Sequence, residues 1–268
     1  MSDTLHSLHD AALQILLAPC PQQKIDRGIE VAKAWHAGKL GLENQATVVP
    51  LQTPGRPAQP ELLSPQDMPR RRMNTVKGRT VLIHAVAHIE FNAINLAWDA
   101  VYRFRDMPKS YYDDWISVAL DESRHFDMLN GYLMGQGSFY GEFPAHNGLW
   151  DMAIKTDYDV MVRMALVPRV LEARGLDVTP AMLERLRAAG DLEAVKLLEI
   201  ILEEEINHVR IGTRWYHYCC EQRGVDKLQT FMDLIESVQS KPKGPFNVEA
   251  RLLAGFEQDE LDYLEELQ

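Results

Sequence analysis

Several features that mark large protein classes are scarce or missing in this chain. It has three cysteines in 268 residues, Cys20, Cys219 and Cys220. An odd number with no spaced framework argues against a secreted disulfide scaffold. There is no Cys-x-x-Cys, which removes a rubredoxin-type iron centre and a zinc ribbon. Positive charge is in deficit: 28 Lys and Arg stand against 39 Asp and Glu, so the net charge is 28 − 39 = −11, the wrong sign for a general nucleic-acid surface. No apolar run approaches transmembrane length, and the opening MSDTLHSLHDAALQ lacks the basic-then-apolar order of a signal peptide. The expectation is a cytoplasmic protein without a membrane span. Sustained alternation of β-branched residues is also absent, so the predicted fold class is all-α.

What remains is an ordinary globular composition, 46% hydrophobic and 25% charged, enough for one large domain or a domain with an appendage. Residues 1–48 read as an N-terminal helical appendage of two short helices. Leu5, Leu8, Ala12, Leu13, Ile15 and Leu16 mark the first. Pro21 opens the second, with Ile25, Ile29, Val31, Ala32 and Trp35 as its apolar stripe. Residues 49–79 are a proline-rich connector, carrying Pro50, Pro54, Pro57, Pro60, Pro65 and Pro69, and are not helical. It ends in Arg70-Arg71-Arg72, read as a solvated or salt-bridged cluster before an anion site.

Residues 80–222 are predicted to hold a four-helix bundle. Thr80 caps a first helix over 81–104, a second spans 111–134, a third runs over 149–174 and stops at Gly175, and a fourth covers 191–222. Residues 223–268 are a helical C-terminal extension packed on the bundle, broken at Pro242-Lys243-Gly244-Pro245, with a short acidic helix near Asp259 to Glu266.

The most informative pattern lies inside the bundle. Twice a lone helical glutamate precedes Glu-x-x-His: Glu90 with Glu122 and His125, then Glu172 with Glu205 and His208. The gaps are 122 − 90 = 32 and 205 − 172 = 33 residues, one long helix, a turn and the return to the same height. Residues i and i+3 share a helix face, so each Glu-x-x-His can grip one ion. Four carboxylates and two imidazoles in this order match a two-metal carboxylate site in a four-helix bundle. One Glu-x-x-His is expected roughly once by chance in such a chain, but both here fall in helical stretches. Glu90 is the only acid in VLIHAVAHIEFNAINLAW and Glu172 the only acid in VMVRMALVPRVLEARG. A lone carboxylate on an apolar helix is costly to bury without a partner. The alternative is a solvated face, or pairing with Arg169 or Arg174. A donor set without thiolate suits iron or manganese better than structural zinc.

Other residues compete. His84 and His88 are four apart, but the sequence between them is Ala-Val-Ala, without the general base of a metalloprotease helix. At 100° per residue His88 points about 200° from Glu90, so both read as packing or supporting groups. Tyr158 stands about 40° from the Glu172 face and is a candidate cavity residue, with core packing as the plainer reading. Pro168, four residues before Glu172, predicts a bend or widened turn beside a ligand. Vicinal Cys219 and Cys220 read as inert, and Trp215, Tyr216 and Tyr218 as core and interface bulk.

The stretches HIEFNAI, DESRHF, MALVPRVLEARGLDVTP, EEEINHVRIGTRWY and GPFNVEARLLAGF resemble the ferritin-like family catalogued as domain of unknown function four-five-five. The resemblance runs from about residue 50 to the end. It implies a ferritin-like bundle of the di-iron carboxylate superfamily, with Glu90, Glu122, His125, Glu172, Glu205 and His208 as metal ligands, and says little about reaction. The expected cofactors are two metal ions, iron first, with manganese or a mixed iron–manganese pair as alternatives. The expected function is oxidase or monooxygenase chemistry on an unidentified small molecule, served by an electron donor, in a chain compatible with a homodimer. The alternatives are a ferroxidase or iron-handling protein and a non-catalytic, metal-stabilised binding protein; a tRNA hydroxylase is set back by the net charge.

Overall fold

A computed structural model describes residues 7–43, 46–68, 73–238 and 242–268; Arg70-Arg71-Arg72 lies outside them. Among the described residues the protein is all-α, with two isolated β-bridges, Ser7 to Gly41 and Leu62 to Ala145, and no strand. The chain forms two compact units, Met1–Ile154 and Lys155–Gln268.

The first unit is built on a hairpin of α3 (Val76–Arg103) and α4 (Lys109–Gly135). Helix α1 (Leu8–Leu17) packs on α3, and α2 (Pro21–His36) packs on α1 and α4. Pro21 occupies the first turn of α2, where its missing N–H costs nothing. The last carbonyls of α1 are satisfied from α2: the buried Lys24 ammonium donates to Ile15 O at 2.9 Å and Leu16 O at 2.8 Å. Of the connector over 49–79, residues 49–68 have no helix, while 76–79 already belong to α3. The non-helical part is pinned where Leu63 N donates to Ala145 O at 2.8 Å and Trp150 Nε1 to Gln52 O at 3.2 Å.

Helix α3 starts earlier than expected. Thr75 is the cap, its hydroxyl accepting the Gly78 N–H at 3.0 Å. Thr80 sits inside the helix and donates to Val76 O at 3.0 Å. α3 also holds a window of mean hydropathy 1.2, long and apolar enough to cross a membrane, so the expectation of no such run is corrected. That window is 83% buried within the fold, and Glu90, Asn92, Asn95 and Asp99 are buried along the helix, which is the signature of a core helix.

The second unit contains α6 (Val160–Leu166), a π-helical segment Val167–Glu172, α7 (Ala173–Ala188), α8 (Leu192–Arg223), α9 (Lys227–Ser237), α10 (Val248–Leu253) and α11 (Gln258–Glu266); α5 (Gly148–Lys155) ends at the boundary between the units. The expected third helix is therefore broken at 156–159 and does not stop at Gly175. Gly175 stays helical, and α7 continues through Pro180. Proline at 180 removes the N–H that would bond Leu176 O. That carbonyl instead accepts the Asn247 amide at 3.1 Å, so a residue 71 positions away repairs the ladder.

Pro168 starts the widened turn that its position predicted, as the second residue of the π segment. The turn lies on α8, and Gly212 makes room for it. A Cβ at Gly212 would come within 2.3 Å of the Pro168 ring carbons. Gly212→Ala should therefore lower stability by about 1–3 kcal/mol through overpacking, although alanine is the better helix former by about 1 kcal/mol. Denaturant unfolding of the variant checks this; a gain in stability would show that the close approach is not there.

Asp159 caps α6 through the N–H groups of Met161 and Val162 and pairs with Arg223 at 2.7 Å. Burial raises its pKa, but the Arg223 hydrogen bond, the backbone donors and the Arg223 charge outweigh this and hold it below the usual carboxylate range. A depressed carboxyl pKa stabilises the fold above the unfolded pKa and stops doing so as pH falls through the folded value. Asp159→Ala should cost about 1–2 kcal/mol near neutral pH. The gap to the parent should narrow as pH falls through the lowered pKa of the folded carboxyl, read by thermal unfolding at stepped pH.

Candidate metal centre

The hairpin places three ligand-capable groups together in the core of the first unit. Glu90 comes from the middle of α3, and Glu122 and His125 come from one face of α4, one turn apart. Their exposures are 3%, 1% and 0%, and one ligand atom from each lies within 4.8 Å of the others. His125 Nδ1 is 3.2 Å from Glu90 Oε2 and 3.4 Å from Glu122 Oε2.

Burial disfavours a charged imidazole here, but hydrogen bonds and charge from Glu122 and Glu90 win, pushing the His125 pKa up to about 11. Two buried carboxylates face the one His125 ring. These groups would offer a divalent cation two carboxylates and, once the ring proton is lost, an imidazole nitrogen. The donor chemistry therefore fits a metal ion held by oxygen and nitrogen.

The second unit carries the matching pair on α8. Glu205 Oε1 lies 3.2 Å from His208 Nδ1, with Glu205 9% exposed and His208 fully buried. Glu172 is half-buried as the last residue of the π segment, which packs on α8. The arginines considered as its partners have other contacts. Arg169 pairs with Glu260 at 2.6 Å, with its guanidinium over the rings of Tyr216, Phe231 and Phe256 at 4.7, 4.1 and 4.5 Å. Arg174 donates to Lys243 O at 2.5 Å. The Arg169–Glu260 pair spans 91 residues and left no local signal in the sequence.

His84 and His88 serve the loop after α4. His84 Nε2 accepts the Gly141 N–H at 2.8 Å and its ring stacks on Tyr140, while His88 Nδ1 lies 2.9 Å from the Tyr140 hydroxyl. Burial, above all, lowers the His88 pKa to about 4, so the ring is neutral and packs as one. Tyr158 is 73% exposed, which corrects the expectation of a buried place on the Glu172 face: it sits in the break at 156–159, where the helical phase is lost. Cys219 is buried, and burial pushes its thiol up to about 11, an inert state.

The model of the family described as "Protein of unknown function (DUF455)" matches residues 17–262, and the chain belongs to that family. It is 46% identical over 220 residues to an "Uncharacterized protein" of Haemophilus influenzae (strain ATCC 51907 / DSM 11121 / KW20 / Rd), covering 79% of this chain and 76% of that one. No solved structure matches it.

If the three-residue cluster is a cation site, Glu122→Ala should leave a folded helical protein that binds metal more than about a hundredfold more weakly, since removing a supporting partner alone costs 10–100-fold. Removing a buried carboxylate relieves like-charge repulsion when no metal is bound. Circular dichroism and a metal titration read the two effects separately; a variant that unfolds while the metal-free parent stays folded would make Glu122 structural.

Proposed function

We propose that this chain is a ferritin-like, dinuclear carboxylate metalloprotein that acts as an oxidase or monooxygenase on a small molecule. The observation that carries the reading is the buried Glu90, Glu122 and His125 cluster on the α3–α4 hairpin. The sequence repeats its ligand order as Glu172, Glu205 and His208. In this reading the six residues hold two ions, iron first, with manganese or a mixed pair as the alternatives.

Bound iron would supply redox chemistry with dioxygen. The chain's own residues do the rest. The carboxylates balance the metal charge, the two imidazoles fix the ions, and the buried walls of α3 and α4 exclude water so that substrate meets the oxidant first. Reducing equivalents come from a separate electron donor.

The competing iron-handling role differs in stoichiometry. Protein reconstituted anaerobically with ferrous iron should hold about two ions per chain, the number set by six ligands in two sets of three. Exposed to air, it should consume dioxygen and stop after about one turnover per site without substrate. Iron retained in tens of ions per chain would replace this reading with storage, and less than one ion per chain would reject the metal centre itself.

A further inference from the structure

The second unit has a pocket that the metal reading does not use. It has a volume of about 200 Å³ and is lined by Val170 and Leu171 of the π segment, Arg174 and Asp177 of α7, and Lys243, Phe246 and Arg251 of the C-terminal region. The two segments that meet here, LVPRVLEARGLDVTP and GPFNVEARLLAGF, are 70 residues or more apart where Asp177 meets Asn247 and Arg251.

Three cations and one carboxylate line the pocket, a local charge of 3 − 1 = +2 in a chain of net −11. The carboxylate is already committed. Asp177 Oδ1 accepts Arg251 Nε and the Asn247 N–H, both at 2.9 Å, and Oδ2 accepts Arg251 Nη2 at 2.8 Å. Arg251 is 1% exposed, stacks on Phe246, and its Nη1 makes no hydrogen bond. Lys243 is exposed, and Arg174 is half-buried, its Nη1 donating to Lys243 O at 2.5 Å and lying 3.7 Å from Asp177 Oδ2, so a ligand would meet the Lys243 ammonium and the rest of the Arg174 guanidinium. A wall of Val170, Leu171 and Phe246 faces them with apolar surface.

We propose that this pocket binds a small phosphate monoester, with the phosphate held by Arg174 and Lys243 over the Arg251–Asp177 pair and a compact apolar body against Val170, Leu171 and Phe246. A monoester carries about −1.5 to −2 charges at neutral pH, which matches the local surplus. A guanidinium and an ammonium together give the donors that phosphate recognition needs. The volume is below that of sites for drug-sized ligands and suits a molecule of a few carbon atoms or one ring.

The test needs no metal and is independent of the redox reading. Calorimetric titration of the intact protein, at constant ionic strength, uses phenyl phosphate, inorganic phosphate and benzoate. Phenyl phosphate should bind saturably at one site per chain, and more tightly than either other probe. Arg174→Gln and Lys243→Gln should each weaken it about tenfold, the loss of one charge-assisted contact. Arg187→Gln, at an exposed pair with Glu199, should leave it unchanged. Equal binding of benzoate or of inorganic phosphate would overturn the monoester assignment. No saturable binding, or full binding by the Arg174→Gln/Lys243→Gln double variant, would overturn the site.

Discussion

Burying a carboxylate in a helical core is unfavourable unless a cation stands against it, and this chain buries carboxylates repeatedly. Asp99 is met by Arg103, Asp177 by Arg251 and Glu260 by Arg169, each through guanidinium contacts of 2.6–2.8 Å. Those pairs hold α3 to itself, α7 to α10 and the π segment to α11. At Glu90 and Glu122 the facing group is the imidazole of His125. An imidazole can shed its proton and become a ligand, which a guanidinium cannot. That difference separates the structural pairs of this molecule from its candidate metal centre.

The second constraint is steric. The π segment ends on Glu172, begins beside Pro168, and rests on the bare backbone of α8 at Gly212. Arg169 anchors the same turn to the C-terminal helices through Glu260. The irregular turn is thus fixed from two sides, by close packing and by a buried ion pair, and Glu172 inherits its position from both. Its neighbours Val170 and Leu171 line the cationic pocket of the same unit.

Features written in local order were legible from the sequence. Glu122 and His125 fall on one face because they are one turn apart, and Glu90 returns to their height because a short turn joins α3 to α4. Pro21 and Pro168 announced a helix start and a distorted turn. What failed depended on distant partners. Gly175 and Pro180 look like a stop, yet Asn247 supplies the hydrogen bond that lets α7 run on. Thr80 has the residue type of a cap, yet the fold sets the cap one turn and more earlier, at Thr75. Tyr158 was placed by helical phase, which is lost where the helix breaks at 156–159. The Arg169–Glu260 pair and the pocket join segments far apart in the chain, and no spacing rule reaches them.

The buried Glu90, Glu122 and His125 cluster stands as a candidate cation site. Anomalous diffraction from crystals of protein loaded anaerobically with ferrous iron tests it most directly. A strong iron peak is expected between α3 and α4, in contact with both carboxylates and the His125 ring. Iron found only elsewhere, or no peak with His125 still hydrogen-bonded to Glu90, would contradict it.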